Sequence, residues 1–132
     1  MTSVKIVLDA SVGVKWFRDE AGSAEARELL RAHRVGELTM AVPGVFAFEV
    51  LDVARRRLGP DFALALWDEI EDADIAVVPS GLVEGALRWS RRLGCTLYDA
   101  AAPALAEALD AQLVSADRRA HGQFPGVRII RG

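Results

Sequence analysis

The feature of this sequence that most limits its fold is an alternation of short apolar runs with longer segments of helical period. Val4–Leu8 is a run rich in β-branched residues, and the segment 11–17 after it predicts a short helix. Strands that alternate with helices form a parallel sheet with helices on both faces. We therefore expect one α/β domain over residues 1–132, a three-layer sandwich around a mainly parallel sheet of about five strands.

The other elements follow from the same periodicities and from Gly and Pro residues between them. Ser23 is the expected N-cap of the second helix, Asp61 caps a later one, and Gly94 ends another. The remaining strands are predicted at 39–42, 75–79, 112–115 and 127–130. The remaining helices are predicted at 23–33, 45–58, from 61 onward, at 82–93 and at 98–110.

Composition excludes several classes of protein. Hydrophobic residues make up 52% of the chain and charged residues 27%, which is typical of a globular domain. No apolar run reaches the roughly 18–20 residues that span a bilayer, and the first residues lack the order of a signal peptide, so we expect a cytoplasmic protein without a membrane partner. Cys95 is the only cysteine and there are two histidines, too few for a disulfide or a structural zinc site.

The charge of the chain gives a mixed indication about nucleic acids. The net charge of −3 argues against binding by bulk electrostatics. Arginine nevertheless far outnumbers lysine and is clustered at 55–57, 91–92 and 118–119. Guanidinium groups match phosphate oxygens, although solvated helix faces explain such clusters equally well.

Four acidic residues stand where the predicted fold would gather them. Active sites of open parallel sheets form at the carboxyl ends of the strands. Asp9 directly follows the first strand, and Asp117 lies two residues beyond Ser115 at the end of the fourth. Glu49 lies on the apolar face of a helix, where a carboxylate is costly unless it is paired or bound to a metal, and Asp99 begins the helix before the fourth strand.

This arrangement predicts a hard metal ion. Carboxylates that lie close together repel one another unless a cation neutralises them. Mg²⁺ prefers oxygen ligands and keeps several waters beside a few carboxylates. A metal held in this way activates water and stabilises charge on a phosphoryl group, so phosphodiester hydrolysis is the reaction that the cluster serves best.

Each acid taken alone has a simpler explanation. Asp9 and Asp99 are also suited to capping the helices that follow them, and Asp117 to a turn. Glu49 is not open to this explanation because it lies inside a helix.

Other enzyme classes fit less well. A phosphatase with an aspartyl nucleophile needs a second acid two residues after Asp9, where Ser11 stands. A dinucleotide-binding module needs a Gly-rich turn after the first strand, and none is present. A Ser–His–Asp hydrolase would have to use His33 or His121, and neither lies near a nucleophile-elbow motif.

With these residues identified, the sequence resembles the PIN-domain family, and within it the VapC-type toxins of bacterial toxin–antitoxin pairs. The resemblance covers nearly the whole chain in order. It rests on Val7-Leu8-Asp9-Ala10-Ser11-Val12, Lys15-Trp16-Phe17, Val42-Pro43, Phe48-Glu49-Val50, Leu97-Tyr98-Asp99-Ala100, Ala104-Leu105-Ala106 and Leu113-Val114-Ser115-Ala116-Asp117-Arg118-Arg119.

The resemblance implies a Rossmann-like α/β/α sandwich and an RNA-cleaving enzyme that uses Mg²⁺ or Mn²⁺. It implies that Asp9 and Asp99 are the direct metal ligands, that Glu49 and Asp117 complete the catalytic cluster, and that the Ser115 hydroxyl supports it. Structured RNA such as transfer RNA is the expected substrate. A catalytically inactive PIN-like binding module and a housekeeping nuclease remain as alternatives.

The resemblance also implies a small VapB-like antitoxin, and a cationic side chain of that antitoxin would suit the acidic crevice. We expect a homodimer as well, because aromatic residues in excess of one small core are typical of interfaces. Those residues are Trp16, Phe17, Phe62 and Trp67. Two positions depart from the family pattern. Ala102-Pro103 leaves the packing near that helix start open, and Asp52 adds a charge one turn after Glu49.

Overall fold

A parallel sheet with the strand order β3–β2–β1–β4–β5 forms the centre of the protein. The computed structural model describes residues 4–78 and 81–131. Each neighbouring pair of strands is parallel, which confirms the predicted α/β fold with its five-stranded sheet. The strands are β1 (Val4–Leu8), β2 (Leu38–Pro43), β3 (Ala76–Val78), β4 (Gln112–Ser115) and β5 (Arg128–Ile129).

Helices connect the strands and cover both faces of the sheet. They are α1 (Ala10–Gly13), α2 (Ser23–Arg34), α3 (Gly44–Leu58), α4 (Pro60–Asp72), α5 (Val83–Leu93), α6 (Ala101–Leu109) and α7 (Arg118–His121). A single 3₁₀ turn, Val14–Trp16, follows α1. In the described part of the chain, no helix is long and apolar enough to cross a membrane.

Alternate residues of the central strands point into two separate cores, because successive side chains of a strand face opposite ways. Ile6 and Leu8 of β1 pack into a core with α1, α2, α3 and α4. Val7 lies between them in sequence and packs on the other face with α5 and α6. A continuous apolar strand buried on both sides is typical of a parallel sheet. The predicted three-layer arrangement is therefore confirmed.

Aromatic pairs anchor each core. Phe46 of α3 is fully buried and meets Trp16 edge-on, with ring centroids 5.8 Å apart. On the other face Trp89 of α5 meets Phe124 edge-on at 4.6 Å. Burying one such side chain stabilises the fold by about 1.5–3 kcal/mol, so these contacts fix α3 and α5 against the sheet.

Two predicted N-caps are wrong. The N-cap of α2 is Gly22, whose φ of +85° favours glycine, and Ser23 is already helical. The Ser23 hydroxyl instead donates to the Arg18 carbonyl and accepts from the Glu20 N–H, so it stabilises the turn before α2. Asp61 does not cap α4, because the helix begins one residue earlier at Pro60, which suits a first helical position.

Other boundaries differ by a few residues. Helix α6 begins at Ala101 rather than at residue 98, because residues 97–100 form a turn. The short helix α7 was not predicted. Gly94 ends α5 in the left-handed conformation, as expected. Pro103 is buried in the first turn of α6, where a missing N–H breaks no helical hydrogen bond. Pro79, the predicted end of the third strand, lies outside the described residues.

Candidate active site

Asp9 stands at the carboxyl end of β1, in the middle of the sheet. Its N–H donates to the Val114 carbonyl at 3.1 Å, which continues the β1–β4 pairing for one more residue. Its Oδ2 accepts from the Ser11 N–H at 3.0 Å, so the helix-cap interpretation of Asp9 is correct for this oxygen. Its Oδ1 lies 4.0 Å from Nε2 of His121, and the side chain is only 13% exposed. One carboxylate oxygen therefore caps α1, while the other lies toward His121.

Glu49 approaches Asp9 from α3. It is partly buried and neighbours Val50, which is fully buried in the first core. Burial raises the pKa of Glu49 to about 7, and the charges of Asp9 and Asp99 contribute to the shift. Glu49 is thus held near two other carboxylates, and among the described residues no Lys or Arg forms an ion pair with it. Such a group favours a proton or a bound cation.

Asp99 lies in the turn that precedes α6. Its backbone N–H donates to the Thr96 hydroxyl at 3.0 Å. The N-cap of α6 is Ala100, and no side chain caps that helix, so the alternative interpretation of Asp99 as an N-cap is wrong. Its side chain instead lies close enough to Glu49 to raise the pKa of that carboxyl group.

Asp117 lies on the loop beyond β4 and caps α7. Its Oδ1 accepts from the Ala120 N–H at 3.0 Å, so this oxygen caps a helix, whereas the simpler interpretation of Asp117 was a turn residue. Its own N–H donates to the Ser115 hydroxyl at 3.0 Å. Burial raises the pKa of the Cys95 thiol, and the nearby charges of Asp99, Asp117 and Asp9 raise it further.

The structure therefore brings the four predicted acids to one edge of the sheet in two different ways. Glu49 lies close enough to both Asp9 and Asp99 for their charges to raise its pKa. Asp117 lies at the rim, where it shares the neighbourhood of Cys95 with Asp9 and Asp99.

The acidic side chains of this edge suit one kind of metal ion. Within residues 4–78 and 81–131, no three His, Cys, Asp or Glu side chains are grouped so that all three could hold a metal. Mg²⁺ does not need such a cage, because it commonly takes one or two carboxylates and fills its octahedron with water. Asp9 and Asp99 with Glu49 nearby, none of them in an ion pair with Lys or Arg in the described part, fit this requirement.

Sequence reasoning missed two residues of this region. On the sequence alone, His121 is rejected as the histidine of a Ser–His–Asp hydrolase because no nucleophile-elbow motif lies near it. In the structure His121 is fully buried and forms hydrogen bonds with Ser115 and with the Asp99 carbonyl. The Ser11 hydroxyl accepts from the Ala116 N–H at 3.0 Å. The available signal was the spacing of His121 four residues after Asp117, which is one helical turn, but α7 was not predicted.

Asp52, considered as an added charge near the site, is committed elsewhere. Its carboxylate accepts hydrogen bonds from Arg55 and Arg56 on the exposed side of α3. The hydrogen bond from Arg55 is the main reason why the pKa of Asp52 is lowered. Asp52 is thus already neutralised locally.

A three-layer parallel sandwich with acids at the ends of β1 and β4 defines an α/β protein with a carboxylate site. The model of the PIN-domain family matches residues 6–124. The chain belongs to the PIN-domain family. No curated protein sequence matches it.

Solved structures with the same fold include toxins and toxin–antitoxin complexes. DNA-bound VapBC from Salmonella typhimurium superposes with a TM-score of 0.72 at 17% identity, covering 97% of this chain and 98% of that one. A toxin–antitoxin complex from Klebsiella pneumoniae superposes with a TM-score of 0.72 at 16% identity, covering 93% of this chain and 95% of that one. VapC20 from Mycobacterium tuberculosis, described as a toxin that cleaves the sarcin–ricin loop, gives 0.70 at 19%, covering 93% and 98%. At these identities the similarity establishes the fold.

Replacing Glu49 by Gln is expected to stabilise the metal-free protein at pH 8. Folding raises the pKa of Glu49 from 4.5 to about 7. Between pH 4.5 and pH 7 the folded protein therefore binds more protons at this residue than the unfolded chain does. Wild-type stability therefore falls as the pH rises through this window, and the variant avoids the loss. Because Glu49 is partly exposed, we expect a gain of about 1–2 kcal/mol at pH 8 and almost none at pH 4.5.

Urea denaturation in EDTA at the two pH values measures this difference. Glu28→Gln is the control, because Glu28 is exposed and its hydrogen bond with Arg31 lowers its pKa. That variant should gain no stability at pH 8. Equal stability of wild type and Glu49→Gln at pH 8 would mean that Glu49 does not face the other two carboxylates.

Proposed function

We propose that this chain is a Mg²⁺- or Mn²⁺-dependent endoribonuclease that acts as the toxin of a toxin–antitoxin pair. The observation that carries the proposal is the convergence of Asp9, Glu49 and Asp99 with no ion pair to Lys or Arg in the described residues. A fold gains no stability from carboxylates placed close together, and a bound cation or a proton would offset the repulsion between Glu49 and its two acidic neighbours. Membership of the PIN-domain family supports nuclease chemistry at this site.

Asp9 and Asp99 are the residues that we propose to hold the cation. They belong to different loops, and each has a backbone environment that fixes its position. When bound, the cation supplies a Lewis acid that stabilises negative charge on the phosphate and lowers the pKa of water. Glu49 and Asp117 complete the acidic edge and orient further waters.

Other residues of the chain would accept the proton from water and bind the phosphates. Hydrolysis adds water across a P–O bond, so the attacking water must lose a proton. Glu49 has the carboxyl group suited to hold that proton, because burial and its two acidic neighbours raise its pKa to about 7. Arg118 and Arg119 directly follow Asp117 and are exposed, so they can bind phosphates on either side of the cut.

An exposed apolar groove supports the proposal of a protein partner. It lies between α3 and α4, has a volume of about 740 Å³, and is lined by residues that include Phe48, Leu64 and Trp67. Phe48 is 80% exposed and Leu64 is 65% exposed, although both are large and apolar. Exposed apolar surface of this kind marks interaction sites. Several similar structures were solved as toxin–antitoxin complexes, so a small antitoxin is the occupant that we propose.

The aromatic residues expected at an interface divide between core and surface. Trp16 packs against Phe46, and Phe17 meets Phe62 with ring centroids 5.9 Å apart. Trp67 lines the apolar groove. Phe48, which was not among the aromatics expected at an interface, is the most exposed of the large hydrophobic residues in the described part. Self-association remains a proposal beside the antitoxin.

Purified protein is expected to cleave structured RNA only when a divalent cation is present, because the acidic edge repels phosphate without one. Transfer RNA and total RNA are incubated with Mg²⁺, with Mn²⁺ and with EDTA, and the products are resolved on denaturing gels. Cleavage that is unchanged in EDTA would contradict the metal mechanism. A protein that binds RNA but cuts none under any condition would support an inactive binding module instead.

Asp9→Asn is expected to reduce cleavage by at least about 100-fold, more than is usual for residues that only support a ligand. The exchange keeps the size of the side chain and removes one repelling charge, so the fold should persist and melt no lower in EDTA. Asp52→Asn is the matched control, because Asp52 is exposed and paired with Arg55 and Arg56. The control should cleave like wild type. Wild-type rates in Asp9→Asn would remove Asp9 from the site.

Phe48→Ser is expected to weaken the antitoxin complex by about 30-fold, the effect of losing an interface hot spot. Because Phe48 is exposed, its loss should not lower the melting temperature of the free chain. The test requires a small protein encoded beside this chain, which is co-expressed and whose affinity is measured by calorimetry, with Val35→Ser, also exposed, as control. Growth arrest by the chain alone, relieved by co-expression, tests the toxin role. If the chain neither arrests growth nor binds such a protein, the toxin role is contradicted and a housekeeping nuclease is the remaining function.

A further inference from the structure

His121 is a fully buried polar side chain that no step described above uses. It ends α7, and both of its ring nitrogens are hydrogen-bonded. Nδ1 lies 2.7 Å from the Ser115 hydroxyl oxygen, and Nε2 lies 2.6 Å from the backbone carbonyl oxygen of Asp99. The imidazole therefore joins the end of β4 to the turn before α6.

The partners of His121 determine where its protons lie. A carbonyl oxygen only accepts hydrogen bonds, so Nε2 must carry a proton and donate it to the Asp99 carbonyl. In the neutral imidazole Nδ1 is then an acceptor, and the Ser115 hydroxyl donates to it. The same hydroxyl oxygen accepts from the Asp117 N–H. His121 thus acts on two of the acidic loops at once.

The network continues to the loop that carries Asp9. The hydroxyl oxygens of Ser11 and Ser115 are 3.4 Å apart. Because the Ser115 hydroxyl donates its one proton to His121, the Ser11 hydroxyl must donate to the Ser115 oxygen in this contact. The Ser11 N–H in turn donates to Oδ2 of Asp9. A directed chain of hydrogen bonds therefore runs from the Asp9 loop through both serines and His121 to the turn of Asp99.

This chain opposes a force that the site itself generates. Glu49 repels both Asp9 and Asp99, and Asp9 and Asp99 lie on loops that come from separate elements. Without a link between the loops, this repulsion would move each aspartate independently of the other. His121 Nε2 is 4.0 Å from Oδ1 of Asp9 and bonded to the Asp99 backbone, so it lies between the two residues whose separation matters.

We infer that His121 is a positioning residue that sets the distance between Asp9 and Asp99 and so makes the acidic edge able to bind a divalent cation. The inference rests on the proposed function. It assigns His121 no contact with the metal or the substrate, and its effect passes through the Asp99 backbone and the Ser115 hydroxyl. Residues that orient the ligands of a metal typically change its affinity by about 10- to 100-fold.

His33 provides a matched control within the same chain. Its Nε2 also donates to a backbone carbonyl, that of Ala73 at 2.8 Å, and its Nδ1 also accepts a hydrogen bond, from the Met40 N–H at 3.1 Å. It ties α2 to β2 and to the end of α4. Replacing His33 removes the same kinds of bonds at a place where no acid of the site is involved.

The test compares His121→Phe, His121→Gln and His33→Phe with wild type, using calorimetric Mn²⁺ binding, thermal melts in EDTA and RNA cleavage. Phe keeps the ring volume and loses both bonds. Gln places an amide N–H and a carbonyl oxygen about as far apart as the two ring nitrogens, so it can retain both. We expect Mn²⁺ binding about 10- to 100-fold weaker in His121→Phe, largely restored in His121→Gln, and unchanged in His33→Phe.

The outcomes separate this inference from the proposed function. Wild type that binds no Mn²⁺ and cuts no RNA would overturn both. Wild type that binds Mn²⁺ while a folded His121→Phe binds it equally well would overturn the positioning role alone. If His121→Phe does not fold, His121→Gln decides: normal Mn²⁺ affinity supports the role, and a folded Gln variant with affinity lowered 10-fold or more contradicts it.

Discussion

The hydrogen-bonded pairing of β1 with both β2 and β4 is the constraint on which the rest of the structure depends. Parallel strands end at the same edge, so this pairing decides that the residues after β1 and β4 share one crevice. The pairing extends one residue past β1, where the Asp9 N–H donates to the Val114 carbonyl. Asp9 is therefore held by the sheet itself. The other acids are placed by loops and helices that pack against this frame.

The apolar packing of the sheet and the acidic residues at its edge have opposite effects on the stability of the fold. Two apolar cores, one on each face of the sheet, hold α3 and α6 in place. Glu49 lies on α3 and Asp99 in the turn before α6, and burial together with the charges of Asp9 and Asp99 raises the pKa of Glu49 to about 7. The protein thus uses apolar burial to maintain an electrostatic arrangement that a bound cation would relieve. A cation that binds the folded state at this edge would therefore stabilise it.

Helix capping leaves one carboxylate oxygen of Asp9 and of Asp117 uncommitted to a cap. Asp9 and Asp117 each use one oxygen to cap a short helix, at 3.0 Å from a backbone N–H. Capping fixes the orientation of the carboxyl group, and a fixed carboxyl group is a better ligand than a mobile one because less entropy is lost on binding. Asp99 differs, since its position is set by its backbone bonds to Thr96 and His121. The cluster is therefore positioned by local motifs and by long-range hydrogen bonds, those of Asp9 with Val114 and of Asp99 with His121.

The sequence by itself determined the parallel sheet, most element bounds and the four acids at its edge, because apolar period and strand-end position are local signals. It misplaced the caps of α2 and α4, since Gly22 caps α2 and Gly59 caps α4, which places the expected caps Ser23 and Asp61 inside the helices. Only the tertiary structure decided the surroundings of His121. Its partners, Ser115 and the Asp99 carbonyl, are 6 and 22 residues away, and hydrogen bonds between loops leave no periodic pattern in a sequence.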